Sequence, residues 1–201
     1  MAFINPRNKE VQVKIVYYGP GRGGKTTNLE HINSKFKERI RSEMVSIKTY
    51  GDRTLFFDFL PFEVGKIKGY DVRIQLYTVP GQVKYNATRR LVLKGVDGIV
   101  FVADSMTVQR EKNLLSLKGL QENLEAHNKN IFGVPLVLQY NKRDLKKRNI
   151  PILPFDVMEQ DLNNRLKVAS LGASAVTGEN VLPTLKKIIS ATMSSLQDEL
   201  K

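Results

Sequence analysis

The stretch GPGRGGKTT, residues 19–27, determines how the rest of the chain is interpreted. It follows an apolar segment at residues 11–18 and precedes a segment with a helical pattern. Its spacing matches G-x-x-x-x-G-K-[ST], in which glycines let backbone N–H groups turn toward phosphate oxygens. Lys25 then supplies positive charge to the terminal phosphates, and the Thr26 hydroxyl is a ligand for Mg²⁺. We therefore predict a phosphate loop between a buried strand and the anion-attracting N-terminus of a helix.

Apolar stretches alternate with helical patterns along the chain. Strands are predicted at residues 11–18, 54–60, 71–78, 98–104, 134–140 and 167–173, and residues 44–50 are either a short strand or a loop. This alternation predicts an α/β three-layer sandwich, with a mostly parallel central sheet flanked by helices, in a single domain of residues 1–201. Apolar residues at helical spacing are predicted to form the core faces of two helices: Leu114, Leu117, Leu120 and Leu124, then Leu185, Ile188, Ile189, Met193 and Leu196.

The composition is that of an ordinary folded domain, with 201 residues of which 41% are hydrophobic. The absence of cysteine excludes disulfides, thiolate metal sites and lipid anchors on cysteine, and Ala2 excludes N-myristoylation. No apolar run reaches membrane-spanning length, and the first ten residues are not a signal peptide. We therefore expect a cytoplasmic protein without a direct lipid anchor.

Positive charge is the unusual feature of the composition. The net charge is +12, from Lys+Arg 32 against Asp+Glu 20, and part of the excess lies in clusters such as NKRDLKKR at residues 141–148. No aromatic residues are interleaved with the clusters, so the sequence does not indicate nucleic-acid binding. Two interpretations remain open: solvated faces, or a surface for acidic effector proteins or another anionic surface.

A second motif indicates which base is bound. Asn141, Lys142 and Asp144 form N-K-x-D directly after the apolar strand at residues 134–140. Guanine has two adjacent donors, N1–H and the N2 amine, which one carboxylate can accept, whereas adenine has no such pair. Asp144 is therefore predicted to bind guanine, Asn141 to tie neighbouring loops together, and the Lys142 stem to cover the base. The loop of Ser174, Ala175 and Val176 follows the sixth strand and is predicted to offer a backbone N–H to guanine O6.

These motifs resemble the Ras-like small GTPases over nearly the whole chain, and within them the MglA family of bacterial cell-polarity GTPases. The matching stretches are KIVYYGPGRGGKTTN, DRTLFFDFLP, LYTVPGQ, LKGVDGIVFVADS and QYNKRDL. The resemblance implies a switch that hydrolyses GTP to GDP with Mg²⁺, and a Roadblock-type, MglB-like homodimer as its activating partner. It also implies control of polarity or motility effectors, with recruitment to a cell pole.

The same resemblance assigns roles to individual residues. Gln82 orients the attacking water, Arg53 is a built-in arginine finger, and Thr54 joins Thr26 on the metal. The phosphate-binding residues are Gly19, Gly21, Arg22, Gly23, Gly24, Lys25, Thr26, Thr27, Thr54 and Gly81.

Two points stay open in the sequence. Small GTPases usually have Asp in the second switch where this chain has Thr78, which is a feature of the family that it resembles. Thr78 brings no charge, so we expect weaker magnesium support and retain the alternative of a module that holds GTP without turnover. From the residues alone, Arg53 is either a finger, which is worth about 10³–10⁵ in rate when placed, or a surface residue paired with Asp52 or Glu63.

Overall fold

A computed structural model describes residues 3–5, 7–36, 45–47, 57–67, 69–81 and 85–199. The strands in these ranges are β1 (Phe3–Asn5), β2 (Glu10–Tyr18), β3 (Val45–Ile47), β4 (Phe57–Ile67), β5 (Tyr70–Thr78), β6 (Gly98–Asp104), β7 (Leu136–Asn141) and β8 (Ala169–Gly172). The α-helices in the same ranges are α1 (Lys25–Lys35), α2 (Asn86–Leu93), α3 (Arg110–Glu125), α4 (Phe155–Leu162) and α5 (Val181–Glu199).

The strands form one sheet in the order β3-β4-β5-β2-β6-β7-β8, and β1 pairs with β2. Five neighbouring strands, β5, β2, β6, β7 and β8, run parallel. The pairs β3–β4, β4–β5 and β1–β2 are antiparallel. The predicted α/β fold with a mostly parallel sheet is therefore confirmed. The carboxyl ends of the five parallel strands share one edge, where such sheets bind ligands.

Helices cover both faces of the sheet. Tyr17 and Tyr18 are both fully buried, yet they belong to different hydrophobic clusters because adjacent residues of a strand face opposite ways. One cluster includes Leu29 of α1 and Ile188 of α5, and the other includes Leu120 of α3 with residues of α4. Since burial of one such side chain contributes about 1.5–3 kcal/mol, both faces add to stability. The architecture is a three-layer sandwich.

Several strand boundaries differ from those predicted. β7 begins at Leu136 rather than at 134, since Pro135 has no N–H to donate to a ladder. β8 is shorter than the predicted range because Lys167 has a positive φ of 50°. β4 continues to Ile67, beyond the predicted end at residue 60, and residues 54–56 of that range lie outside the described residues. Within the ambiguous stretch 44–50, Val45–Ile47 form a strand.

Two further differences concern residues that sequence patterns misjudged. β1 was not predicted, because three residues beside a proline have no recognisable period. Leu114 was predicted to lie in the core but is 40% exposed, whereas Leu120 and Leu124 of the same stripe are fully buried. The stripe therefore turns out of the core at the N-terminal end of α3.

Candidate nucleotide-binding site

The loop between β2 and α1 has a backbone that requires glycine. Gly19 has a φ of 147°, and a Cβ on it would lie 2.2 Å from the carbonyl oxygen of Val102 in β6. Gly24, the N-cap of α1, has a φ of 96°, and its Cβ would meet the side-chain amide of Asn141. Both conformations are rare for residues with a side chain. The loop is therefore pressed against the ends of two neighbouring strands.

Positive charge is concentrated at the start of α1. The Lys25 side chain is 7% exposed, and its ammonium group donates to the carbonyl oxygens of Gly19 at 3.1 Å and Pro20 at 2.7 Å. The first turn of α1 has no acidic residue, and its N-cap has no side-chain cap. The helix dipole and Lys25 therefore favour an anion at the same place. Thr26 and Thr27 lie in this turn, and the side chain of Arg22 is exposed.

The segment after β5 lies against the phosphate loop. Thr78 ends β5 and is 3% exposed, and Val79 is 2% exposed. A Cβ on Gly81 would lie 2.2 Å from the backbone nitrogen of Gly21 and 2.5 Å from the carbonyl carbon of Pro20. The two backbones are thus as close as two glycines allow. Residues 82–84, which include Gln82, lie outside the described residues, as do Arg53 and Thr54.

The oxygen ligands available here fit magnesium. Magnesium prefers oxygen ligands and usually retains several waters. Thr26 in the first turn of α1 supplies a hydroxyl, and the described residues contain no cluster of three acidic, histidine or cysteine side chains that could hold a metal by itself. A metal at this place would therefore take most of its coordination from phosphate oxygens and water. The buried Thr78 brings no charge to its support.

Asn141 connects the phosphate loop to the predicted base-binding loops. It ends β7 and is 1% exposed. Its side-chain nitrogen donates to the carbonyl oxygen of Gly23 at 2.8 Å, and its side-chain oxygen accepts from the backbone N–H of Ala175 at 2.8 Å. Its own carbonyl oxygen accepts from the backbone N–H of Ser105 at 3.0 Å. Three loops from the ends of β2, β6 and β8 are therefore joined through this residue.

Asp144 lies in a short 3-10 turn, Arg143–Arg148, beside this junction. Arg143 anchors the turn: its backbone N–H donates to Ala173 at 3.0 Å and its guanidinium donates to the Leu153 carbonyl at 2.6 Å. Burial lowers the pKa of Arg143 below its usual range. Asp144 is partly buried, yet no described residue donates a hydrogen bond to its carboxylate or forms an ion pair with it. The turn is thus rigidly held, while its carboxylate keeps its acceptor sites.

The loop of Ser174, Ala175 and Val176 already uses two of its backbone N–H groups in hydrogen bonds within the protein. Ser174 is fully buried, and its backbone N–H donates to the Glu179 carbonyl at 3.0 Å. Since the Ala175 N–H is donated to Asn141, only the N–H of Val176 among these three lacks an acceptor in the described residues. The Val176 side chain is 78% exposed. A backbone donor to guanine O6 would therefore come from Val176 unless the loop shifts.

Asp104 is the residue at this edge that sequence reasoning missed. It ends β6, is fully buried, and its carboxylate lies 2.6 Å from the Lys142 ammonium group. Lys142, which was predicted to cover the base, has a positive φ of 70°. A single acidic residue at the end of an apolar strand is the only sequence signal for this pair. The pair has no motif spacing, since it joins residues of different loops.

A groove of about 560 Å³ lies away from this edge, lined by the segment Phe132–Val137 and by residues of β8 and α5. Since β7 begins at Leu136 and ends at Asn141, the groove lies at the opposite end of the strands from the phosphate loop. No helix in the described residues is long and apolar enough to cross a membrane.

Comparison with known proteins agrees with this geometry. The model of the ADP-ribosylation factor (Arf) family matches residues 2–192. The chain is 46% identical over 197 residues, 98% of each chain, to the mutual gliding-motility protein MglA of Myxococcus xanthus (strain DK1622). It is 27% identical over 164 residues, 81% of this chain and 70% of the other, to mouse ADP-ribosylation factor-like protein 4D. The structure has a parallel sheet with a phosphate loop between β2 and α1, and the family model matches nearly the whole chain. The chain therefore belongs to the ADP-ribosylation factor family of small GTPases.

Proposed function

We propose that residues 1–201 form a single GTPase domain that acts as a guanine-nucleotide switch, binding GTP and hydrolysing it slowly to GDP. A Roadblock-type, MglB-like homodimer accelerates the hydrolysis. The switch controls polarity or motility effectors in the cytoplasm, where partners recruit it to a cell pole. The effectors include acidic proteins, which the net charge of +12 would attract.

The observation that carries the guanine assignment is the Asp144 carboxylate. It is partly buried, accepts no hydrogen bond from a described residue, and lies in the turn Arg143–Arg148, which Arg143 anchors. Its oxygens are therefore available to donors that a ligand supplies. The N1–H and N2 amine of guanine are such donors. An adenine nucleotide would leave this carboxylate unpaired, and a site of this kind rejects analogues that lack the donor.

Lys25 and the first turn of α1 support the assignment of the phosphate-binding part of the site. The ammonium of Lys25, held by two loop carbonyls, neutralises phosphate charge, and the glycines allow close approach of backbone N–H groups. Mg²⁺, when bound through Thr26 and Thr54, would neutralise phosphate charge that develops during phosphoryl transfer. The protein's own contribution is to hold the phosphates at the helix N-terminus and to fix the segment of Gly81 beside them.

Hydrolysis is assigned to Gln82 and Arg53. Gln82 follows Gly81, whose backbone lies against the phosphate loop, so a small movement of this segment changes the distance between its side chain and the phosphates. Arg53 precedes Thr54, the residue proposed to contact the metal. Each side chain is placed for the transition state only when the partner fixes its segment, which would make the isolated protein slow. The polarity and motility role is supported by the 46% identity to the gliding-motility protein.

Asp144→Asn tests the guanine assignment. An amide cannot accept two hydrogen bonds from N1–H and the N2 amine, so the variant should lose at least about 100-fold in GDP affinity and gain affinity for XDP. Competition binding of GDP, ADP and XDP measures this, with the exposed Asp156→Asn as the matched control. Unchanged GDP affinity in Asp144→Asn would show that another residue recognises the base.

Arg53→Ala and Gln82→Ala test the catalytic assignment. Intrinsic hydrolysis and GTP affinity should change little in either variant, because neither side chain contributes before activation. Hydrolysis stimulated by a Roadblock-type protein from the same genome should fall by about 10³-fold or more in both. Full stimulation of Arg53→Ala alone would indicate an arginine supplied by the partner, and full stimulation of both would remove the assignment.

A second candidate is a module that holds GTP without turnover. The observation that favours it is Thr78, an uncharged and buried residue where small GTPases usually have a metal-supporting Asp. Single-turnover assays with GTP and ATP, with and without the partner, separate the two candidates. Release of phosphate from GTP in the presence of the partner excludes the passive module.

A further inference from the structure

The Asp104 carboxylate lies directly beside the proposed base-binding turn. Asp104 is the last residue of β6, and its Cα pairs with that of Asn141 at the end of β7. The side chain is fully buried, and its two oxygens have different partners. One accepts from the backbone N–H of Met106 at 3.0 Å, and the other lies 2.6 Å from the Lys142 ammonium group. A buried charge is therefore directed at the residue that follows Asn141.

Helix α3 fixes the backbone of Asp104 from the other side. The side-chain oxygen of Asn113 accepts from the Asp104 N–H at 2.9 Å, and its side-chain nitrogen donates to the Asp104 carbonyl at 2.8 Å. Asn113 is 2% exposed, so these bonds are shielded from water. With both backbone groups held by Asn113 and one carboxylate oxygen held by Met106, the carboxylate has one orientation. Its remaining oxygen is thus placed before any ligand binds.

The fixed Asp104 carboxylate restricts the conformations of the Lys142 side chain. A lysine stem has many rotamers, and the freedom that it loses on binding a ligand opposes binding. Here the ammonium is already held, while the Lys142 side chain remains 24% exposed. The positive φ of 70° at Lys142 sets the direction in which the stem leaves the backbone. The stem is therefore ordered while part of its surface stays open to a ligand.

We propose that Asp104 is a positioning residue for nucleotide binding: it holds the Lys142 stem in the place where it covers the face of the guanine base. This inference rests on the proposed function, since it assigns a task within the same site. Stability alone does not account for the pair, because a buried ion pair contributes little net stability relative to well-packed apolar residues. The pair does order a ligand-facing stem, which reduces the entropy lost on binding.

The test is a double-mutant cycle on nucleotide release. The four proteins are the wild type, Asp104→Asn, Lys142→Met and the double variant, and the dissociation rate of fluorescent GDP is followed by stopped flow. Asparagine keeps an oxygen for the Met106 N–H, so the local turn is retained. Each single change should raise the dissociation rate by roughly tenfold, which corresponds to about 1.4 kcal/mol. If Asp104 acts through Lys142, the double variant should release GDP no faster than the faster single variant.

Asp161→Asn is the matched control. Asp161 pairs with Arg110 of α3 at 2.7 Å, so this change also removes a carboxylate that contacts a cation. It should leave GDP release unchanged. A purely structural role for Asp104 would predict an undiminished effect of Asp104→Asn in the Lys142→Met background, and this result overturns the inference. Wild-type release from Asp104→Asn also overturns it. Failure of the wild type to bind any guanine nucleotide would instead refute the proposed function.

A second measurement remains decisive if Asp104→Asn does not fold. Hydrogen exchange of lysine ammonium groups is followed by ¹⁵N NMR in the nucleotide-free wild type. The Lys142 ammonium should exchange at least about tenfold more slowly than that of the exposed Lys146, because it is held by a buried carboxylate. Equal exchange rates would show that the stem is not positioned in advance, and would overturn the inference.

Discussion

Gly81→Ala should separate hydrolysis from nucleotide binding. A Cβ at this position would lie 2.2 Å from the Gly21 nitrogen and 2.4 Å from its Cα, whereas ordinary van der Waals contact begins near 3.4 Å. The two backbones must therefore move apart by about 1.2 Å. The neighbours are backbone atoms, so rotation of a flexible side chain cannot relieve the clash.

The phosphate loop is held by the ends of β6 and β7. Gly19 is pressed against Val102, and Gly23 is bound to the Asn141 side chain. We therefore expect the segment of Gly81 to yield and to carry Gln82 away from the phosphates. A misplacement of about 1 Å reduces rate by about 10²-fold, so partner-stimulated hydrolysis should fall by about that factor. GDP affinity should stay within about threefold of the wild type, since the phosphate loop keeps its contacts.

Single-turnover hydrolysis of GTP with the activating partner measures the first effect, and release of fluorescent GDP measures the second. Gly133→Ala is the control, because a Cβ there meets nothing within 4 Å and its φ is not in the left-handed region. Wild-type hydrolysis by Gly81→Ala would refute the argument that this contact places Gln82. Loss of GDP binding with hydrolysis would show that the phosphate loop, not the facing segment, had yielded.

Three further changes test other parts of the structure. Lys25→Ala should abolish co-purification of nucleotide, measured by chromatography of the denatured protein, whereas the exposed Lys35→Ala should retain it. Asn141→Ala leaves two buried backbone groups without partners, so urea unfolding should show a loss of about 2–4 kcal/mol; an unchanged midpoint would contradict the bridging role. Burial raises the pKa of Glu159, but hydrogen bonds from three neighbours, Ser170, Tyr140 and Asn163, outweigh it, so the pKa lies below its usual value of 4.5. The stability that Glu159 adds is thus complete above 4.5 and lost as pH falls through the lowered pKa. Glu159→Gln should therefore destabilise the protein at neutral pH but not in stronger acid, as compared by urea unfolding at both pH values, and the effect should be small because the group is partly exposed to solvent.

The parts of the molecule that the sequence predicts are those with a fixed local geometry. The phosphate loop is one, because residues Gly19 and Gly24 adopt backbone angles that few other residues tolerate. The strand from Gly98 to Asp104 is another, since a continuous apolar run at a sheet centre is recognisable alone.

What the sequence did not predict depends on neighbours that are distant in the chain. The exposure of Leu114 follows from where α3 meets α4, which helical spacing does not encode. The pairing of Asp104 with Lys142 depends on the register of β6 beside β7, and one residue of shift would place the carboxylate on the other face. The contact of Gly81 with Gly21 likewise depends on β5 lying beside β2.

The joining of distant loops at Asn141 has a consequence for synthesis on the ribosome. The phosphate loop is encoded within the first 27 residues, but its Gly23 carbonyl is held by Asn141, which in turn holds the N–H of Ala175. The central strand β2 pairs with β5 and β6, which are translated long after it, so its pairing is also delayed. A nascent chain therefore cannot complete this pocket until residue 175 has left the exit tunnel. Nucleotide then enters as a late ligand that stabilises a nearly finished domain, and it cannot serve as an early template for folding.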